Sequence, residues 1–114
     1  MIDYDLFRKV DMRVGTVLTA EPNRKANVPS YKLTIDFGKL GIMQSSAQIV
    51  EHYATDELIG RQVVCVVNFP PKRIAGFKSE VLIMGVDGNS NNSNGEGVVL
   101  LAPERGVANG VRVY

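Results

Sequence analysis

Apolar and polar positions alternate most cleanly between Tyr31 and Phe37. There Tyr31, Leu33, Ile35 and Phe37 take turns with Lys32, Thr34 and Asp36. A period of two puts the first set on a buried face and the second in water, the mark of a half-buried antiparallel strand. Gly38 to Gly41 predicts a turn and Ile42 to Ser45 a returning strand. Upstream, Asp11 to Ala20 predicts a strand with Met12, Val14 and Leu18 on one face and Asp11, Arg13 and Gly15 on the other. Gly15 inside it suggests a bulge or a sharp bend, as small barrels need. Glu21 to Pro29 reads as a polar loop holding Arg24 and Lys25.

The longest patterned stretch is Val63 to Gly85. An apolar run, Val63 to Val67, stops at Asn68. Phe69-Pro70-Pro71 then excludes both a helix interior and a central strand. A turn around Ala75-Gly76 carries Lys72, Arg73 and Lys78, and a second apolar run spans Val81 to Met84. This predicts two buried strands joined by a stiff, positively charged connection. Ser45 to Gln48 has the form of a capping box, which predicts a short helix with Ile49, Val50 and Tyr53 on one face. Ile2, Leu6 and Val10, with Phe7 beside them, predict an N-terminal helix of at most two turns, capped by Asp3 or Asp5. Such a helix is too short to hold alone and must dock on the body or on a second subunit. Val86 to Gly97 predicts a polar, mobile loop. Val98 to Ala102 predicts a further buried strand, and Val111 and Val113 a last short one.

The sum is all-β, with at least five short, bent strands, one short helix between strands three and four, and no βαβ alternation. That pattern suits a five-stranded Greek-key barrel of the oligonucleotide-binding type, the OB-fold. At 114 residues one domain, 1–114, is expected.

Composition removes several functions without choosing one. The net charge is +1, from 13 basic and 12 acidic residues, so a case for nucleic acid must rest on local clustering. Cys65 is the single cysteine, which excludes an internal disulfide and a thiolate metal cluster; in its apolar run it reads as a buried small hydrophobe. The acidic start does not resemble a signal peptide, and no apolar run approaches the ~20 residues that span a bilayer. A cytoplasmic location without membrane insertion is expected, and Asn91-Asn92-Ser93 gains no weight as a glycosylation acceptor. Catalysis finds little support. His52 is the single histidine, and Asp56-Glu57 reads as a capping or solubilising pair. Gly95-Glu96-Gly97 leads into a strand and is a weak dinucleotide signal. No nucleophile elbow, phosphate loop or metal-ligand spacing occurs. The expectation is a protein that is not an enzyme, with no cofactor and no metal.

Lys72, Arg73 and Lys78 fall within seven residues that contain no acid. Cations with a Ser79 hydroxyl and the accessible Gly76 backbone on a stiff turn suit phosphate or sugar-edge contacts. The same residues also fit a solvated hairpin whose lysines prevent edge pairing. Phe69 and Phe77 flank the cations. Exposed, they could stack on unpaired bases; burial is expected for Phe69, and Phe77 is open.

The stretch Asn68-Phe-Pro-Pro-Lys-Arg-Ile-Ala-Gly-Phe-Lys-Ser-Glu-Val-Leu-Ile-Met-Gly85 resembles the signature of the tRNA-binding OB-fold family. That family includes the C-terminal appendix of bacterial methionyl-tRNA synthetases, the N-terminal module of bacterial phenylalanyl-tRNA synthetase β subunits, and the endothelial-monocyte-activating-polypeptide type domains. Val10 to Val17 resembles the family's opening strand. Met43 to Ile49, with Val81 and Leu82 where many relatives have glycine and methionine, resembles its stand-alone CsaA-type members, which are export-related chaperones. The resemblance spans about Leu6 to Tyr114. It implies tRNA or another structured RNA as partner, and the family pattern carries over at Asn68, Ile74, Gly76 and Ser79; with the local cations Lys72, Arg73 and Lys78 the expected RNA face is Asn68, Lys72, Arg73, Gly76, Lys78 and Ser79, and Arg13, on the strand face opposite Met12 and Val14, is a further candidate. It also implies a homodimer through Ile2, Leu6, Phe7, Val10, Val107, Val111 and Val113, and unfolded preproteins or peptides as a second class of partner. The near-neutral charge implies RNA affinity that is moderate and strongly salt-dependent.

Overall fold

The computed structural model describes residues 1–88 and 97–114. Asn91-Asn92-Ser93, Gly95-Glu96 and most of the predicted polar loop lie outside the described residues. The chain forms helix α1 (Tyr4–Arg8), then strands β1 (Met12–Pro22), β2 (Tyr31–Asp36) and β3 (Ile42–Ala47). Helix α2 (Thr55–Leu58) and strand β4 (Gln62–Val66) follow. A small hairpin, β5 (Lys72–Ile74) and β6 (Phe77–Ser79), comes next. Then come β7 (Leu82–Ile83), β8 (Gly85–Asp87) and β9 (Val98–Leu100).

Five antiparallel strands make the main sheet in the order β3-β2-β1-β4-β7. Its two ends nearly meet. The Glu80 amide donates to the Gln44 carbonyl at 2.8 Å, and Ser45 Oγ donates to the Val81 carbonyl at 3.1 Å. The result is the nearly closed, five-stranded barrel expected from the sequence. The long strand β1 makes closure possible. Its first half pairs with β4 and its second half with β2, the two ladders overlapping at Thr16. Gly15 lies at that corner, where a Cβ would come within 2.6 Å of Ile35 and 2.8 Å of Phe37. Only glycine lets the strand press so close to the core.

A slip in register between Val17 and Thr19 turns the face over. Before the slip Val17 shares the core face of Gly15, and Leu18, in phase with Met12 and Val14 as the alternation suggested, is exposed; beyond it the phase is inverted and Ala20 packs on the core. A bulge adds one residue and inverts the phase of everything beyond it.

The barrel core is Val17, Leu33, Ile35, Phe37, Ile49, Leu58, Val63, Cys65 and Val81. Burial pushes the Cys65 thiol up to about 12, which keeps it protonated and unreactive. A second cluster, Met12, Val14, Val64 and Val66, lies on the outer face of the β1–β4 pair, with Phe7, Met84 and Val113 packed on it. Burial on both faces explains why β4 reads as a continuous apolar run.

Three expectations are corrected. The helix predicted from the Ser45–Gln48 capping box is absent; Ser45 sits fully buried in β3, opposite Leu33. The strand ladder took the residues that a local cap would have used. The helix begins ten residues later, where Glu57 accepts from the Ala54 amide at 2.8 Å. Val98–Leu100 is half-exposed and pairs with β8 outside the barrel sheet. The C-terminus forms no full strand; it lies against β1 around the Arg13–Arg112 bridge, with the Gly110 amide donating to the Val14 carbonyl, the Val14 amide to the Val111 carbonyl and the Val113 amide to the Met12 carbonyl.

A candidate nucleic-acid interface

The β5–β6 hairpin turns through Ala75 and Gly76, whose φ angles are +50° and +79°. Positive φ at both central residues is the demand of a type I′ turn, which glycine meets freely and alanine at a cost. The register sets Lys72 against Ser79, Arg73 against Lys78 and Ile74 against Phe77. Residues directly opposite share a face, with Cβ atoms about 5 Å apart. Arg73 and Lys78 thus stand side by side and exposed on one face of the hairpin. Lys72, Ile74, Phe77 and Ser79 share the other.

That second face is fastened to β3. The Ser46 amide donates to Ser79 Oγ at 3.0 Å, and Gln44 Nε2 donates to the Lys78 carbonyl at 2.8 Å. Between the hairpin and the barrel lies a hollow of about 480 Å³, mostly apolar, with Phe69, Pro70, Ile74, Val81 and Leu82 among its walls and Lys72 at its edge. Phe69 is 54% exposed, against the burial expected for it. Phe77 is half-buried, with the Lys32 ammonium 5.8 Å from its ring centre.

The predicted site residues divide into two groups. Lys72, Arg73, Gly76, Lys78 and Ser79 are brought together on the hairpin. Ser79 is at the same time the hydroxyl that pins β6 to β3. Asn68 is spent elsewhere: its Oδ1 accepts from the Asp11 amide at 3.0 Å and its Nδ2 donates to the Lys9 carbonyl at 2.8 Å. Arg13 is held by Asp11 at 2.6 Å and by the Gly110 carbonyl at 3.0 Å. Both tie the chain ends to the barrel.

The alternation pattern did not single out Lys32, nor the loop composition Arg24 and Lys25. All three surround a hollow of about 300 Å³ with Glu21, Asn23 and the hairpin tip Ala75-Gly76-Phe77. A basic loop between the first two strands of a predicted OB barrel was the signal available, since that loop and the one between strands four and five flank such a barrel's binding face. Among the residues expected at the dimer surface, Ile2, Leu6, Val10, Val107 and Val111 are exposed, while Phe7 and Val113 cover the outer cluster. Among the described residues, no group of three or more His, Cys, Asp or Glu side chains is placed to hold a metal ion. No helix there is long and apolar enough to cross a membrane.

A five-stranded barrel with a basic hairpin between its last two strands defines an OB-fold of the nucleic-acid-binding class. Residues 12–112 match the family described as "Putative tRNA binding domain", and the chain belongs to that family. It is 41% identical over 95 residues to the methionine–tRNA ligase of Chlorobium chlorochromatii, covering 83% of this chain and 13% of that one. It is 30% identical over 113 residues to the methionine–tRNA ligase of Methanosarcina mazei, covering 99% and 15%. The chain thus spans only about a seventh of the length of these ligases. Among solved structures it is similar to the chaperone CsaA of Bacillus anthracis, with 49% identity, a TM-score of 0.88, and 100% and 99% of the two chains covered. The CsaA chaperone of Picrophilus torridus gives 43%, 0.87, and full coverage of both. The methionyl-tRNA-synthetase-related protein of Pyrococcus horikoshii gives 28%, 0.85, and 100% and 98%.

Proposed function

We propose that residues 1–114 act as one non-catalytic RNA-binding unit, working in the cytoplasm, that takes tRNA or another structured RNA on the hairpin face. The observation that carries this reading is the pairing of Arg73 with Lys78 across the hairpin, with Lys72 beside them and no acid between Phe69 and Ser79. Like charges directly opposite cost stability in the free protein. A phosphate backbone converts that cost into affinity and releases counterions. Membership of the tRNA-binding family and the ligase relatives support tRNA as the RNA. Gly76 shapes the turn, Ser79 fixes the hairpin on the barrel, and Asn68 and Arg13 act by holding the scaffold.

Labelled tRNA titrated over a salt series tests this. Replacing Lys72, Arg73 and Lys78 together by alanine is expected to weaken binding more than tenfold. The slope of log affinity against log salt should flatten by about 0.7–0.9 for each phosphate that the variant no longer neutralises. Binding that is unchanged in the triple variant rejects the reading.

The two-copy arrangement belongs to the same proposal. Ile2, Leu6, Val10, Val107 and Val111 leave an apolar end around α1 and the C-terminus that a second copy would cover, with Phe7 and Val113 beneath. Leu6→Asp is expected to shift the mass in solution from two chains to one. A wild-type mass of one chain at micromolar concentration rejects it.

A second reading rests on the apolar hollow beside the exposed Phe69 and on the two chaperone neighbours. Extended segments of unfolded preproteins would lie there. Aggregation of a denatured client that proceeds unaltered in excess protein rules it out.

A further inference from the structure

The hairpin stands outside the main sheet, since β5 and β6 form a two-stranded sheet of their own. It is nevertheless tied to β3 at three consecutive residues, Lys78, Ser79 and Glu80. The Lys78 carbonyl accepts from Gln44 Nε2 at 2.8 Å, and Ser79 Oγ accepts from the Ser46 amide at 3.0 Å. Glu80 exchanges two bonds with Gln44. Its amide donates to the Gln44 carbonyl at 2.8 Å, and its Oε1 accepts from the Gln44 amide at 3.1 Å. An ordinary ladder bonds main chain to main chain. Here three of the four bonds need a side chain: the Gln44 amide, the Ser79 hydroxyl and the Glu80 carboxylate.

Gln44 takes part in three of these four bonds and grips the chain on both sides of Ser79. Side-chain reach, and not strand pairing, therefore sets how the hairpin stands off the barrel. The hollow of about 480 Å³ lies in the space this leaves, with Ser46, Ser79 and Glu80 among its walls. The same bonds occupy the acid that follows the cationic turn. One oxygen of Glu80 is committed to the Gln44 amide, and among the described residues no ion pair involves Lys72, Arg73 or Lys78. The bond from Gln44 Nε2 to the Lys78 carbonyl is exposed, so water replaces it at small cost to the fold. What it fixes is the backbone of a residue that carries one of the three cations. That points to placement of charge more than to stability.

We infer that Gln44 is a positioning residue for RNA binding. Uncharged itself, it holds the hairpin at the angle at which Lys72, Arg73 and Lys78 meet phosphates together, and Glu80 is the acceptor that completes its grip. This role rests on the function proposed above. A hairpin released from β3 keeps all three charges but presents them at varying angles. Ordering it then falls to the RNA, which lowers affinity, and fewer phosphates are neutralised at once.

Gln44→Met tests it, because methionine keeps the length of the side chain and removes the donor. Labelled tRNA is titrated over a salt series, beside the Lys72, Arg73 and Lys78 triple-alanine variant. Gln44→Met is expected to bind several-fold more weakly per folded molecule, with the melting temperature retained. Its slope of log affinity against log salt should flatten by about 0.7–0.9, the worth of one phosphate, although no charge has been removed. A merely structural role would lower the melting temperature and leave the affinity and slope of the folded fraction unchanged. Glu80→Ala should weaken binding as well, and Glu80→Gln, which keeps an acceptor for the Gln44 amide, should restore it. Equal binding by the two Glu80 variants removes Glu80 from the grip. Gln44→Met binding like wild type with the wild-type slope, while the triple variant is weakened, overturns the positioning role and leaves the hairpin reading standing. A triple variant that binds like wild type rejects the hairpin reading, and the role of Gln44 falls with it whatever Gln44→Met does.

Discussion

The two ends of the barrel use the same residue types to opposite effect. At the end where α1 and the C-terminus meet β1, Asn68 spends both halves of its amide on backbone partners and Arg13 is locked by Asp11 and a carbonyl. Arg112 reinforces that knot through the Arg8 carbonyl at 2.7 Å and lies 3.6 Å from Asp11. At the hairpin end, Asn23 keeps an unused NH2. Arg73 stands beside another cation and donates to the carbonyl of Gly76 in its own turn at 3.2 Å. An asparagine or arginine is therefore not a binding residue by its type. What separates the ends is saturation: one has spent its polar groups on the fold, and the other holds them in reserve.

The strongest challenge to this contrast comes from the core both ends share. Leu58→Ala, in a fully buried site, is expected to cost about 2–5 kcal/mol. Chemical denaturation measures it, and RNA affinity per folded molecule should not change. Asn68→Ala comes next. Both bonds are exposed, so water replaces the lost partner and the cost should be about 0.5–1.5 kcal/mol, with RNA affinity within about twofold. If instead it spared stability and weakened RNA binding, the saturated end would be part of the RNA face.

Arg73→Ala is the mirror experiment. It should leave stability within about 0.5 kcal/mol and weaken RNA binding several-fold. Arg13→Ala should do the reverse, costing about 1 kcal/mol with binding retained. The subtlest effect belongs to Cys65, whose folded pKa lies above its unfolded value. The folded state resists deprotonation, so its contribution is intact below about pH 9 and is lost as pH rises toward 12. Denaturation midpoints between about pH 7 and 10.5 should fall less steeply in Cys65→Ala than in wild type. Equal slopes would mean that the thiol is not protected by burial.

Local pattern and tertiary saturation explain what was legible. The period-two run in β2, the two-sided apolar run in β4 and the Pro-Pro break before the hairpin are local physical demands. They predicted the barrel and placed Lys72, Arg73 and Lys78 on one exposed turn. The Ser45–Gln48 helix failed because Ser45 satisfies its hydroxyl on the Val81 carbonyl across the barrel seam, a partner 36 residues away. Ala20 packs on the core although it has the phase of Met12 and Val14, because one bulge inverts a strand while leaving its composition unaltered. Phe69 was expected inside where no alternation could test it, yet it stands exposed beside the hairpin hollow.

From its residues alone this chain settled its five-stranded barrel, the buried face of β2 and the charge of its hairpin. Each depends on neighbours a few positions away, and the steric and solvation rules that act at that range are written in the order of side chains. Only the tertiary structure decided which polar groups remain free. A hydrogen bond is closed by a partner in space, and for Asn68, Arg13, Ser79 and Ser45 that partner lies on another strand or loop.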